Sequence, residues 1–292
     1  MQAQPGQLIE TLDAPDGADL PYRQFRADEP RGALVYLHGI QSHGGWYLET
    51  AAELASRGYS IYLTDRRGSG VSREPRGYFK DRAQLVGDVR SFVELAEREQ
   101  EGLPVFLIGG CWGARTAVTF ALEEPGRLAG LALISPALVA KVDLSAREKA
   151  KVVAGSFLRP RSTVRIPVEP ELFTRNPQWL AFIRDDPLAL REVRTSFFLR
   201  QARWDRWLLK QRGLRLPLLL LQSGRDEIVD VDAVREWFDR QESERKRFVL
   251  YPDFDHLLDF ENDRRRYWDD LASWLDELTA ARESPAEERL QA

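Results

Sequence analysis

Six short and nearly unbroken apolar runs constrain this chain more than any other feature: residues 32–39 ("GALVYLHG"), 60–65, 104–110, 128–138, 216–224 and 247–253. Hydrophobicity that does not alternate implies strands buried on both faces, the condition of a parallel sheet covered by helices. The stretches between the runs supply the helices. Residues 45–58, 83–99 and 231–241 have helical spacing, and Tyr267, Leu271, Trp274 and Leu278 fall on one later stripe. Before the first run, residues up to about Phe25 with a Pro-Asp-Gly turn at 15–17 read as an antiparallel hairpin on the sheet edge.

The alternation stops between 139 and 215, where helical pieces and prolines occur without an obvious buried strand. So long a segment reads as an inserted helical cap. The expected organisation is therefore an α/β core from 1–138 and 216–283, a cap at 139–215 and a flexible tail at 284–292. With 43% hydrophobic residues in a chain of 292, there is material for a large core.

Charge and cysteine content narrow the function classes. A net charge of −4 gives no basis for nucleic-acid binding. The charge is uneven, however: residues 141–215 hold 17 Lys/Arg against 8 Asp/Glu, a balance of +9 that leaves −13 for the rest. The single cysteine excludes an intrachain disulfide and fits a reducing, cytoplasmic setting. The first residues lack the pattern of a signal peptide, and the longest apolar run, "LPLLLL", is far too short to span a bilayer.

The chemistry gathers at strand ends. In "LIGGCWGARTA" a buried run stops at Gly109-Gly110, Cys111 and Trp112 follow, and Gly113 opens a helix. Strand, tight turn and helix with small residues around one nucleophile is the G-x-S-x-G elbow, here with cysteine for serine. Gly109 and Gly113 supply the room, and the helix N-terminus favours a thiolate. After the run at 216 comes "QSGRDEIVD", which places Asp226 just past a strand end; Glu227, Asp230, Asp253 and Asp255 are its rivals, and Asp255 reads as a solvated neighbour. After the run at 247 comes "YPDFDHLLDF", with His256, one of only three histidines. The order Cys111, Asp226, His256 is nucleophile, acid, base. In "YLHGIQSHGGWY", Gly39 lets the chain turn so that the Ile40 N–H, with that of Trp112, forms an oxyanion hole. His38 reads as a structural hydrogen-bonder under that turn and His43 as a loop residue at the entrance. One cysteine and scattered histidines leave no metal site, and no strand–GxGxxG–helix unit calls for a dinucleotide. No cofactor is expected.

These motifs, with "LASRGYSIYLTDRRGSGVS" and "LALISPAL", resemble the α/β-hydrolase superfamily and, within it, the monoacylglycerol lipase and lysophospholipase-like branch. The resemblance runs from about residue 32 to the last helix. It implies a triad at Cys111, His256 and Asp226, a hole at Ile40 and Trp112, and a cap over an acyl pocket; "DRRGSGVS" is a structural loop signature with no chemistry assigned. Cysteine stands where that branch has serine, and Trp112 where it has a smaller residue. Dienelactone hydrolases in the superfamily also use a cysteine there.

The expected function is a hydrolase of an acyl ester or thioester through an acyl-cysteine intermediate. An acyltransferase or trans-acting thioesterase would use the same triad, and a non-catalytic ligand-binding protein is the third reading. Thioesters gain weight because thiolate for thiolate is an even exchange. The basic cap suits an anionic substrate such as a coenzyme A or acyl-carrier thioester.

Overall fold

The computed structural model of the chain describes residues 8–159 and 161–290, the side chains of 283–290 excepted. Its first strands, β1 (Ile9–Asp13) and β2 (Asp19–Phe25), pair antiparallel across a turn in which Gly17 takes a φ of +80°. The expected hairpin is therefore present, with β1 at one edge of an eight-stranded sheet.

Every apolar run supplies a strand. They are β3 (Gly32–Leu37), β4 (Tyr59–Thr64), β5 (Val105–Gly110), β6 (Gly130–Ile134), β9 (Leu218–Ser223) and β10 (Lys246–Tyr251). The sheet order is β1-β2-β4-β3-β5-β6-β9-β10. From β4 onward all neighbours are parallel, and β2 joins β4 antiparallel. Strands β3 to β6 and β9 are buried along their whole length, as unalternating hydrophobicity requires. β10 departs from that expectation. As the other edge strand it is only half-buried, and Leu250 is exposed.

Helices cover the sheet: α1 (Leu48–Ser56), α2 (Arg82–Glu99), α3 (Ala114–Glu123), α7 (Val231–Asp239) and α8 (Arg265–Leu290). α2 starts where the Asp81 carboxylate accepts the Gln84 N–H, and buries Leu85, Val89, Phe92 and Ala96. In α8 the stripe Tyr267, Leu271, Trp274 and Leu278 is buried. That helix runs into the stretch 284–292 read as a tail, whose last two residues lie outside the described ones.

The chain passes from β3 through α1 to β4 on one side, then returns through α2 to β5 on the other side of β3. The loops leaving β3 and β5 thus diverge, and a crevice opens at their carboxyl ends. Gly39 and Cys111 sit at those two ends.

Between β6 and β9 the chain forms α4 (Ala146–Leu158), α5 (Pro177–Asp185) and α6 (Thr195–Leu208). It also forms two short strands that the sequence reading did not find, β7 (Thr163–Arg165) and β8 (Glu192–Arg194), paired antiparallel with Val164 facing Val193. Three-residue strands are too short to show a period, so only the pairing reveals them. Trp179, Phe197, Trp204 and Leu208 are buried in this segment, whereas Phe157 and Leu158 are largely exposed.

Candidate active site

Cys111 follows β5 with a φ of +47°, a backbone region that non-glycine residues seldom occupy. A 3-10 turn from Cys111 to Gly113 then leads into α3. The two glycines of the elbow are required by space. A Cβ on Gly109 would lie 2.8 Å from Ala114 Cα and Ala117 Cβ; one on Gly113 would lie 2.4 Å from the Leu37 carbonyl and 2.7 Å from that of His38. Without side chains there, the helix closes on β5 and the turn touches the end of β3. The backbone N–H groups of Ile40 and Trp112 both donate toward the Cys111 sulfur.

His256, fully buried, lies in the loop after β10 and directs Nδ1 to Asp226, 3.0 Å from Oδ1 and 2.8 Å from Oδ2. Its Nε2 is buried without a hydrogen-bond partner among the described residues, and Cys111 is close enough for its charge to act on the imidazole. Asp226 is itself held from several sides. The Ile228 and Val229 N–H groups reach Oδ1 at 3.0 and 2.9 Å, while Ser223 Oγ and Gln222 Nε2 donate to Oδ2 at 2.8 and 3.1 Å. The structure therefore brings the three residues expected as a triad, and the two expected N–H donors, into one place.

Burial disfavours every charge in this group, yet the charges hold one another. Burial lowers the His256 pKa, but the Asp226 carboxylate and the Cys111 thiolate outweigh it and raise the imidazolium to about 10. Burial raises the Cys111 thiol, and His256 with the two N–H groups brings it below its ordinary value. Asp226 is lowered likewise, its desolvation overcome by His256 and the hydrogen bonds. Each of the three groups thus favours the charged form of its neighbour, which lowers the thiol and raises the imidazole together.

The other histidines are structural. His38 Nε2 accepts the Arg66 backbone N–H at 2.9 Å, so Nδ1 carries the proton and donates to the Gly39 carbonyl at 2.8 Å. Burial, with the Arg66 cation second, lowers its pKa to about 3 and keeps it neutral. His43 is not at an open entrance. It is buried, its Nδ1 accepting the Gly45 N–H and its Nε2 bonded to Asp186 at the end of α5. Asp255 is also buried instead of solvated, because the Arg175 backbone from the β6–β9 segment covers it and donates to Oδ2 at 2.7 Å.

Other residues near the site escaped the sequence reading. Ser42 Oγ accepts the Gly39 N–H at 2.9 Å and contacts Tyr47 Oη at 3.0 Å. Trp112 Nε1 donates to Gln201 Oε1 of α6 at 2.9 Å. Arg66 lies under the β3 turn, in the segment to which no chemistry was assigned.

The family described as serine aminopeptidase, S33, matches residues 28–263. The chain belongs to this family, and with it to the α/β-hydrolases. This hydrolase is 27% identical over 265 residues to the monoacylglycerol lipase of Mycolicibacterium smegmatis, covering 89% of this chain and 93% of that protein. It is 29% identical over 266 residues to the monoglyceride lipase of Homo sapiens, covering 88% and 86%. A soluble variant of monoglyceride lipase from Saccharomyces cerevisiae, solved in complex with a substrate analog, superposes with a TM-score of 0.82 at 20% identity, covering 95% of this hydrolase and 98% of that chain. The family's description names a serine enzyme, whereas the strained turn here carries Cys111. No helix among the described residues is long and apolar enough to cross a membrane.

Proposed function

We propose that this hydrolase cleaves acyl thioesters and esters through an acyl-cysteine intermediate, with Cys111 as nucleophile, His256 as general acid and base, and Asp226 orienting His256. The observation that carries this reading is the Cys111 sulfur itself. It sits on a strained turn, faces an imidazole backed by a carboxylate, and receives two backbone N–H groups. In acylation the thiolate attacks the carbonyl carbon and a C–S bond forms. The oxygen takes the negative charge between the Ile40 and Trp112 N–H groups. The bond to the leaving group then breaks, and His256 Nε2–H supplies its proton. In deacylation His256 takes a proton from water as its oxygen attacks; the bond to Cys111 breaks, the acid leaves and the thiolate is restored.

The β6–β9 segment, residues 139–215 in the sequence reading, serves as the cap. Its α4 and α6, with Leu138 and Arg115, line an open cavity of about 630 Å³ whose apolar wall includes Val142, Val152, Phe198 and Leu199; Cys111, His256 and Ile40 are not among its lining residues. That volume suits a small-molecule acyl group. The basic excess of the segment favours a leaving group on an anionic carrier, coenzyme A or an acyl-carrier protein. Relatives named as lipases favour ester hydrolysis in general; the thiolate favours the thioester, because the bond broken and the bond made are of one kind.

Intact mass spectrometry with matched acyl thioesters and oxyesters tests the reading. An acyl adduct is expected on the wild type and absent from Cys111→Ala. Its release by water marks a hydrolase; release only after an amine or alcohol is added marks the acyltransferase. No adduct with any acyl donor would leave a ligand-binding protein.

A further inference from the structure

Arg66, in the loop after β4, brings a half-buried cation to the site. Its guanidinium donates from Nη1 to the Gly39 carbonyl at 3.0 Å, and from Nη2 to the Ile40 carbonyl at 3.1 Å and Ser69 Oγ at 2.7 Å. Its Cζ lies 4.6 Å from the centre of the Trp112 ring. One side chain thus touches both segments whose N–H groups point at Cys111. No carboxylate accepts a hydrogen bond from it among the described residues. Burial, the larger effect, works against this cation, while negative charge on Cys111 and on Asp65 works for it.

The peptide geometry turns this contact into a consequence. In a planar trans peptide the C=O of one residue and the N–H of the next point in opposite directions. The Gly39 carbonyl and the Ile40 N–H belong to the same peptide. Arg66 from one element and His38 Nδ1 from another both hold that carbonyl. The N–H at the far end is thereby directed to the sulfur. A carbonyl bound to a cation also polarises its own N–H into a stronger donor.

We propose that Arg66 is the positioning residue of the oxyanion hole: by gripping the Gly39 and Ile40 carbonyls it aims the Ile40 N–H, and by its charge beside Trp112 it favours the negative sulfur and, in turnover, the negative oxygen. This rests on Cys111 being the reacting atom. It also gives Trp112 a role, since a small residue after the nucleophile would offer the guanidinium no ring face.

Two readouts separate this role from that of a mere loop staple. The first is the rate of Cys111 acylation by a thioester, followed as adduct mass. The second is the pH midpoint of Cys111 alkylation by iodoacetamide, which needs no substrate and reads one site because the chain has one cysteine. The titratable groups facing Cys111 are His256, Arg66, Tyr36 of β3 and Tyr47 before α1; the tyrosines stay neutral, raised above their ordinary values by burial first. Arg66→Gln should slow acylation by about 10- to 100-fold at unchanged KM, short of the roughly 10²–10³-fold cost of losing a hole donor outright, and should move the alkylation midpoint up. Arg66→Lys keeps the charge but not the two-pronged grip, so the midpoint should stay near wild type while acylation stays slow. Wild-type rate and midpoint in Arg66→Gln overturn the proposal. If that variant fails to fold, a wild-type acylation rate in Arg66→Lys overturns it. If no acyl donor modifies even the wild type, the function proposed above fails, and the alkylation midpoints still decide whether Arg66 acts on the sulfur.

Discussion

Cys111 and His256 are both buried, burial disfavours the charged form of each, and their mutual support has a measurable pH signature. The thiol is held below its ordinary value and the imidazolium is raised to about 10. Alkylation of Cys111 should therefore proceed at pH values below the ordinary thiol range of about 8.5. Turnover should climb as pH rises through the depressed thiol pKa, and fall again as pH passes about 10, where His256 loses the proton that the leaving group needs. Asp226→Asn leaves the imidazole in place but removes the anion that fixes its tautomer, so kcat should drop by about 10⁴-fold. A pH–rate profile and a single-site kinetic comparison check both. Asp255 and His43 teach a second lesson at this scale. In sequence Asp255 reads as solvated and His43 as a loop residue at the entrance, and each is covered by a partner from the β6–β9 segment, Arg175 and Asp186 respectively.

At the scale of elements, the contact of α3 with α6 is held by an ion pair buried at its Arg115 end. Arg115, in the first turn of α3, donates from Nε to Asp205 Oδ1 at 2.6 Å and is only 2% exposed, while Asp205 keeps a side-chain exposure of 23%. Removing one partner of such a pair strands the other charge. Asp205→Ala should cost about 3–5 kcal/mol in chemical denaturation, whereas replacing both by Met and Leu should be close to neutral. A double-mutant cycle separates the two effects. The strands β3 to β6 and β9 and the strand–turn–helix elbow were legible, because their signals lie within a few residues. The β7–β8 pair was not, because its two strands are distant in sequence and each is too short to carry a period.

For the whole molecule the question is where the charge goes. The pairs inside the β6–β9 segment, Arg165 with Glu169 and Arg184 with Glu171, use acids already counted in its balance of +9 and leave that excess unchanged. Further pairs reach into the core, Arg175 to Glu227 and Arg215 to Glu242. The proposed attraction for an anionic carrier rests on the remainder. Added salt should accordingly lower kcat/KM for an acyl-coenzyme A thioester while leaving a neutral thioester of the same acyl group nearly unaffected. Equal salt dependence of the two would remove the carrier from the proposal and leave the triad untouched.

The amino-acid sequence determined the strands of the main sheet, the sheet class and the candidate reacting residues, because each is encoded locally: an unalternating apolar run, a glycine on either side of a turn, an acid or a histidine just past a strand end. The tertiary structure alone decided what surrounds those residues. Arg66 meets the Gly39 carbonyl across 27 positions of chain, and His43 meets Asp186 across 143. Such contacts depend on how the parallel sheet folds its loops together and how the inserted segment closes over them, and no short stretch of sequence carries that geometry.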